Sequence, residues 1–222
     1  MKKNEFAKGY CFHKYFWIFI IGSVFGVYWE QIYTLVLHLL NEGVWVWKLK
    51  RGVIYGPFNP LYGIGAVILT MAFAKDKEYK WYHYLLYGAV LGGTVEYFTS
   101  YLQELVVGAV SWNYHNKFLN INGRTTIPYA LFWGLLAMIW NMWVYPVMSN
   151  LIERIDYNIG CKLTMVLLVF MIFDCFISWS SIIRQNYRRQ NIPPYTVFGE
   201  FLDKYYPDEF LEKYYTNMVF VD

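Results

Sequence analysis

Charge is what this chain has least of. Only 16% of its 222 residues are Asp, Glu, Lys or Arg, against about a quarter in an ordinary soluble domain. The net charge of +3 is small and the basic residues are scattered, which argues against a nucleic-acid-binding surface. Cysteine is equally sparse. Cys11, Cys161 and Cys175 lie far apart with no CxxC spacing, so neither a disulfide framework nor a metal site is indicated. His13, His38, His83 and His115 show no HExxH or other ligand spacing. There is no G-x-S-x-G nucleophile elbow and no phosphate-binding G-x-x-x-x-G-K-[ST] loop. The chain therefore brings no recognisable nucleophile and no ATPase of its own, and the residues imply no metal, cofactor or catalytic set.

What it has in abundance is apolar surface: 57% of residues are hydrophobic and 22% aromatic. A helix needs about 20 mainly apolar residues to cross about 30 Å of hydrocarbon. Five runs qualify, at roughly 15–40, 57–74, 81–107, 127–149 and 162–183. Trp17, Trp45, Trp47, Trp81 and Trp112 fall near run ends, as interfacial aromatic belts require. The expectation is an all-α, polytopic helical membrane protein with about five transmembrane helices, partnered by the lipid bilayer. The N-terminus has basic residues and then an apolar core, but no A-x-A-like cleavage site follows, so an uncleaved first span is expected. Residues 1–183 read as the transmembrane domain. Residues 184–222 read as an amphipathic tail on the membrane surface or in solution, broken from the fifth run by Pro193-Pro194. Basic residues are nearly balanced between the two sides (Lys2, Lys3, Lys14, Lys75 and Lys77 against Lys48, Lys50, Arg51, Arg124 and Arg184, among others). The positive-inside rule then gives no orientation.

Two runs carry a carboxylate where lipid-facing residues are expected. The first reads "GSVFGVYWE", with Gly22, Gly26 and Glu30; the third reads "GAVLGGTVE", with Gly88, Gly92 and Glu96. Steps of four residues keep all three positions on one broad helix face, and glycines so spaced let helices approach closely. A loop with an arginine follows each, Arg51 in one case and Arg124 in the other. Runs one and two, and three and four, are thus expected to be parallel repeats. Glu30 and Glu96 would face each other across the interior, with Arg51 and Arg124 as counter-charges. A charge at mid-bilayer costs roughly 2.5–3.5 kcal/mol, so these groups either fix helix packing or line a polar cavity. Asp174 in the fifth run needs a donor from another helix or the same interior. Arg184, Arg188 and Arg189 read as an interfacial basic cluster.

The loops add further candidates. "RGVIYGPFNPLYGIG" joins the first two runs, with Gly56, Pro57 and Pro60 marking a re-entrant or broken approach to the second. Irregular backbone at that depth must be buried or line a cavity. "SWNYHNKFLNINGR" is rich in Asn, suited to a capped covering loop. The solute-binding candidates are Glu30, Glu96, Arg51, Arg124, Asn59, Tyr62, Trp112, Tyr114, Asn120 and Asp174. The structural candidates are Gly22, Gly26, Gly88, Gly92, Gly56, Pro57 and Pro60.

Taken together, Glu30, "RGVIYGPFNPLYGIG", "EYFTSYLQE", "WNYHNKFLNINGR" and the Asp174…Arg184…Arg188 run resemble the bacterial family called putative ABC-transporter type IV permeases. The resemblance extends from about residue 20 to "YYPDEFLEKYYTNM". One departure stands out: the family's W-D-Y reads Trp112-Asn113-Tyr114 here. The resemblance implies a multi-pass permease subunit in the bacterial cell membrane, served by a separate ATPase subunit. Three functions follow. The first is a permease subunit holding a small polar solute or ion at Glu30 and Glu96. The second is an intramembrane acid/base enzyme acting on a lipid-like substrate. The third is a membrane scaffold whose polar core is only structural.

Overall fold

A computed structural model of the protein describes residues 5–47, 50–73 and 79–221. The orienting charges Lys2, Lys3, Lys48, Lys75 and Lys77, and the last residue of the second apolar run, lie outside them. The chain is a helical membrane protein. Helix α1 spans Phe12–Glu42, α2 Pro60–Phe73, α3 Trp81–Val107, α4 Ile127–Ile139, α5 Tyr145–Glu153 and α6 Tyr157–Arg189. A π-helical turn at Trp140–Val144 joins α4 to α5. Pro146 explains it: with no N–H and a ring that clashes with the preceding turn, proline is relieved by a locally wider helix.

Among the described residues three helices are long and apolar enough to cross a membrane: α1, the continuous α4–α5 rod Ile127–Glu153, and α6. The other two apolar runs are helical but differ from expectation. Helix α3 has 27 residues, and its polar residues dilute its hydropathy. Helix α2 has 14, or about 21 Å of rise, short of the roughly 30 Å of hydrocarbon.

The segment before α2 supplies the missing depth by folding back along α1. The Gly52 amide donates to Phe58 O at 2.9 Å and the Asn59 amide to Ser23 O at 3.1 Å, which sets the segment beside the middle of α1. Gly56 turns it with φ +72. Pro60 opens α2 at the position where a missing N–H costs nothing, and the Asn59 side chain caps the Leu61 amide at 3.2 Å.

Helix pairs α1/α2 and α3/α4 pack through their glycines. A Cβ added at Gly22 would stand 2.8 Å from the Ala66 methyl. At Gly26 it would overlap Tyr62, at Gly88 the Ala137 methyl, and at Gly92 Trp133. At the opposite end, Lys14 is no flanking charge but fully buried. Its ammonium donates to Ser149 O at 3.0 Å and Glu153 Oε1 at 2.7 Å, tying α1 to α5. Pairing and full hydrogen bonding are what make such burial tolerable.

The tail forms α7 (Val197–Tyr205), α8 (Asp208–Tyr214) and a two-residue strand β4 (Val219–Phe220). Strand β4 pairs antiparallel with β1 (Ala109–Val110), which follows α3. Thr196 caps α7. Leu202, Tyr206, Leu211 and Tyr215 bury against Ile54, Ile177 and Ile182. Arg184 and Arg188, expected as an interfacial cluster, both face the tail. Arg184 forks onto Asp203 with two bonds of 2.8 Å, and Arg188 bridges Asp203 and Asp208. Arg189 lies over the Phe220 ring at 4.6 Å. Planar, bidentate pairs of this kind are the stronger sort of ion pair.

Two expectations follow for stability. Gly88→Val places a side chain where Ala137 sits. It is expected to cost about 1–3 kcal/mol and to lower the thermal midpoint in detergent, whereas exposed Val90→Leu on the same helix is expected to leave it unchanged. Asp203→Asn is expected to cost about 1.5 kcal/mol and speed proteolysis of residues 190–221 roughly tenfold. Acid should do the same. Burial opposes ionisation of Asp203, but the Arg184 and Arg188 bonds outweigh it and hold its carboxyl below the usual range. A depressed folded-state pKa gives stability that is present above the unfolded value near 3.9 and lost below it. Protection at pH 7 and pH 5.5 should therefore match, and should decay below about pH 4.

Candidate functional site

Where the 50–59 and 108–126 segments meet the tail, a cavity of ≈ 740 Å³ opens between α1, α3 and α4. That is within the roughly 300–1,000 Å³ typical of small-molecule sites. Glu30 and Glu96 both line it, as do Arg51, Asn59, Tyr62, Trp112 and Tyr114.

The two carboxylates have different company. Glu30 on α1 accepts the Tyr62 hydroxyl at 3.2 Å and faces the Lys50 ammonium at 3.4 Å. Glu96 on α3 is only 6% exposed. It accepts the Thr125 hydroxyl at 2.6 Å and the Tyr114 hydroxyl at 3.2 Å, with Trp133 close by. No described cation reaches ion-pair distance of it. Burial, and then the neighbouring Glu96 carboxylate, push the Tyr114 phenol upward. Tyr114 therefore stays protonated and remains a donor.

Local sequence places these donors. Asn122 and Gly123 take φ of +52 and +68, the Asn-Gly preference of a tight hairpin turn, and Arg124 N closes it onto Ile121 O at 3.0 Å. The hairpin pairs β2 (Asn120–Ile121) with β3 (Thr125–Thr126). Thr126 then caps α4 through the Tyr129 amide at 3.1 Å, which leaves Thr125 turned to Glu96. Trp112 holds the hairpin through its indole N–H on Arg124 O at 2.7 Å. Tyr114 N donates to Gly123 O at 2.8 Å. Aromatic pairs complete the walls: Tyr62 with Trp133 at 6.0 Å and Tyr114 with Tyr129 at 4.8 Å between centroids.

Three predicted residues stand elsewhere. Arg124 is no counter-charge to Glu96: the turn directs it to Glu104 at 2.8 Å and over the Tyr101 ring. There it offsets an acid placed at the C-terminal end of α3, where the helix dipole disfavours one. Asn120 is spent within its own loop, bonding His115 O, Lys117 O and the Gly123 amide. Asp174 is fully buried on α6. It accepts the Tyr55 amide at 3.0 Å and the Ser178 hydroxyl at 3.2 Å, which anchors the folded-back segment. Arg51 reaches the cavity, but it answers neither glutamate and lies over the Tyr214 ring at 5.4 Å.

Sequence reading passed over Lys50, Gln103, Thr125, Trp133 and the tail residues 214–219, all in or beside this cavity. One signal was present for Thr125 and Trp133: Gly52 and Pro57 are spaced as Gly123 and Pro128 are, so the approaches to α2 and α4 correspond. Nothing in the sequence marked the tail as a wall.

No curated protein and no solved structure matches the chain. A family model described as putative ABC-transporter type IV matches residues 17–179, ending before the tail. That match covers well over half of the chain and takes in both glutamates and both covering loops, and the chain belongs to the putative ABC-transporter type IV family.

Proposed function

We propose that this protein is a multi-pass permease subunit of the bacterial cell membrane. It holds a small polar solute or ion in an intramembrane cavity lined by Glu30 and Glu96, and works with a separate ATPase chain. The observation that carries the reading is Glu96: a nearly buried carboxylate, held by neutral donors, at the edge of an open volume of ≈ 740 Å³. An ionisable group buried among membrane helices is a functional group by default. Asp174, which anchors the folded-back segment, is by contrast absent from the walls of that volume.

The helix pairs α1/α2 and α3/α4 are read here as parallel repeats. In support, Gly22, Gly26 and Glu30 lead Gly88, Gly92 and Glu96 by a constant 66 residues. Pro57, Tyr62 and Ala66 lead Pro128, Trp133 and Ala137 by a constant 71. The partners correspond as well. Gly26 faces Tyr62 as Gly92 faces Trp133, and Gly22 faces Ala66 as Gly88 faces Ala137. Thr70 and Asn141 each donate to the carbonyl four residues back, that of Ala66 and of Ala137. On this reading the binding site lies at the repeat interface, a common place for one in transporters.

The test is purification of the full chain from native membranes in mild detergent, with mass spectrometry of what stays bound. A small polar molecule is expected with the wild type. It should be depleted at least tenfold in Glu96→Gln, and equally in Thr99→Trp, which fills the cavity without touching a charge. An ATPase subunit is expected alongside. The same retained set in wild type and both variants would overturn the reading.

A further inference from the structure

The charges lining the cavity are not all answered by one another. Glu30 and Lys50 satisfy each other at 3.4 Å. Glu96 has neutral donors only, and Arg51 has a ring only. Neither has an opposite charge within ion-pair distance among the described residues. The cavity thus keeps one uncompensated carboxylate on α3 and one uncompensated guanidinium on the loop before α2. Exposed Lys117 adds to the positive side at the rim.

The surroundings of the two groups differ. Glu96 is set among the rings of Tyr114 and Trp133, which pair with Tyr129 and Tyr62. Aromatic faces beside a carboxylate are the environment that desolvated ammonium groups favour. Arg51 has its fork free, since its guanidinium makes no hydrogen bond to the described residues and only stacks on Tyr214. A guanidinium fork matches the oxygens of carboxylate or phosphate. Leaving both ends unpaired in a partly desolvated volume is costly, and a ligand that pairs both would recover that cost.

We infer that the cavity receives a zwitterionic small molecule, its ammonium seated at Glu96 among the aromatic rings and its phosphate or carboxylate against Arg51. This rests on the reading of the cavity as a solute site and specifies the class of solute. The chemistry is shared by free phosphoethanolamine-like solutes and by the headgroup of phosphatidylethanolamine.

The experiment uses the full chain in nanodiscs of phosphatidylglycerol alone, titrated with phosphoethanolamine, ethanolamine or glycerol phosphate and followed by thermal midpoint and calorimetry. Phosphoethanolamine is expected to bind saturably and at least tenfold more tightly than either single-charge probe. Glu96→Gln should abolish that preference while keeping glycerol phosphate binding. Arg51→Gln, away from the helix core, should remove the advantage over ethanolamine even if Glu96→Gln folds poorly. A raised midpoint in nanodiscs containing phosphatidylethanolamine, with no response to the soluble probe, would assign the ligand to a lipid headgroup and still support the inference. Equal binding of the single-charge probes, or a preference untouched by both Glu96→Gln and Arg51→Gln, would overturn it while leaving a solute site standing. No binding of any probe, together with nothing retained from native membranes, would overturn both.

Discussion

The close approach of α3 and α4 at Gly92 is the contact on which the rest of the site depends. With only a hydrogen at that position, the Trp133 side chain lies directly against the α3 backbone. The indole thereby stands close to Glu96, one turn further along α3. The same approach brings the start of α4 beside α3, and with it the hairpin that ends in Thr125. Glycine here works through what it omits. A helix surface without side chains lets a neighbour's polar groups come within hydrogen-bonding distance of a charge that lipid would otherwise reject.

This arrangement divides the labour between the two glutamates. Glu30, partly open and facing Lys50, is electrostatically answered within the protein. Glu96 is hydrogen-bonded but not neutralised. Hydrogen bonds from hydroxyls meet part of the desolvation cost of a carboxylate, but they do not cancel its field. That remaining field distinguishes the Glu96 side of the cavity from the Glu30 side, where Lys50 answers the charge.

Much of the fold was legible because the bilayer imposes simple rules. Apolar run length marked each long helix to within a few residues at most ends, and glycine spacing marked the faces that meet. The polar details were less legible, since they depend on where loops travel. Arg124 follows a glycine turn that no periodicity describes, so its swing toward Glu104 could not be read from spacing. Lys14 looked like an ordinary flanking charge because its partners, Ser149 and Glu153, lie about 135 residues away. Arg184 and Arg188 showed the composition of an interfacial cluster, and only the return of the tail, with Asp203 and Asp208, revealed their partners.

The tail's place in the wall has a consequence for the order in which the protein is made. Residues 214–219 line the cavity, yet in chain order they follow every long helix among the described residues. One side of the cavity is therefore completed by the part of the described chain that is synthesised last. The short β1–β4 pairing needs Val219 and Phe220, and the arginine locks on α6 need only Asp203 and Asp208. Closure of the cavity wall thus waits on a segment made after the described helices that carry Glu30 and Glu96.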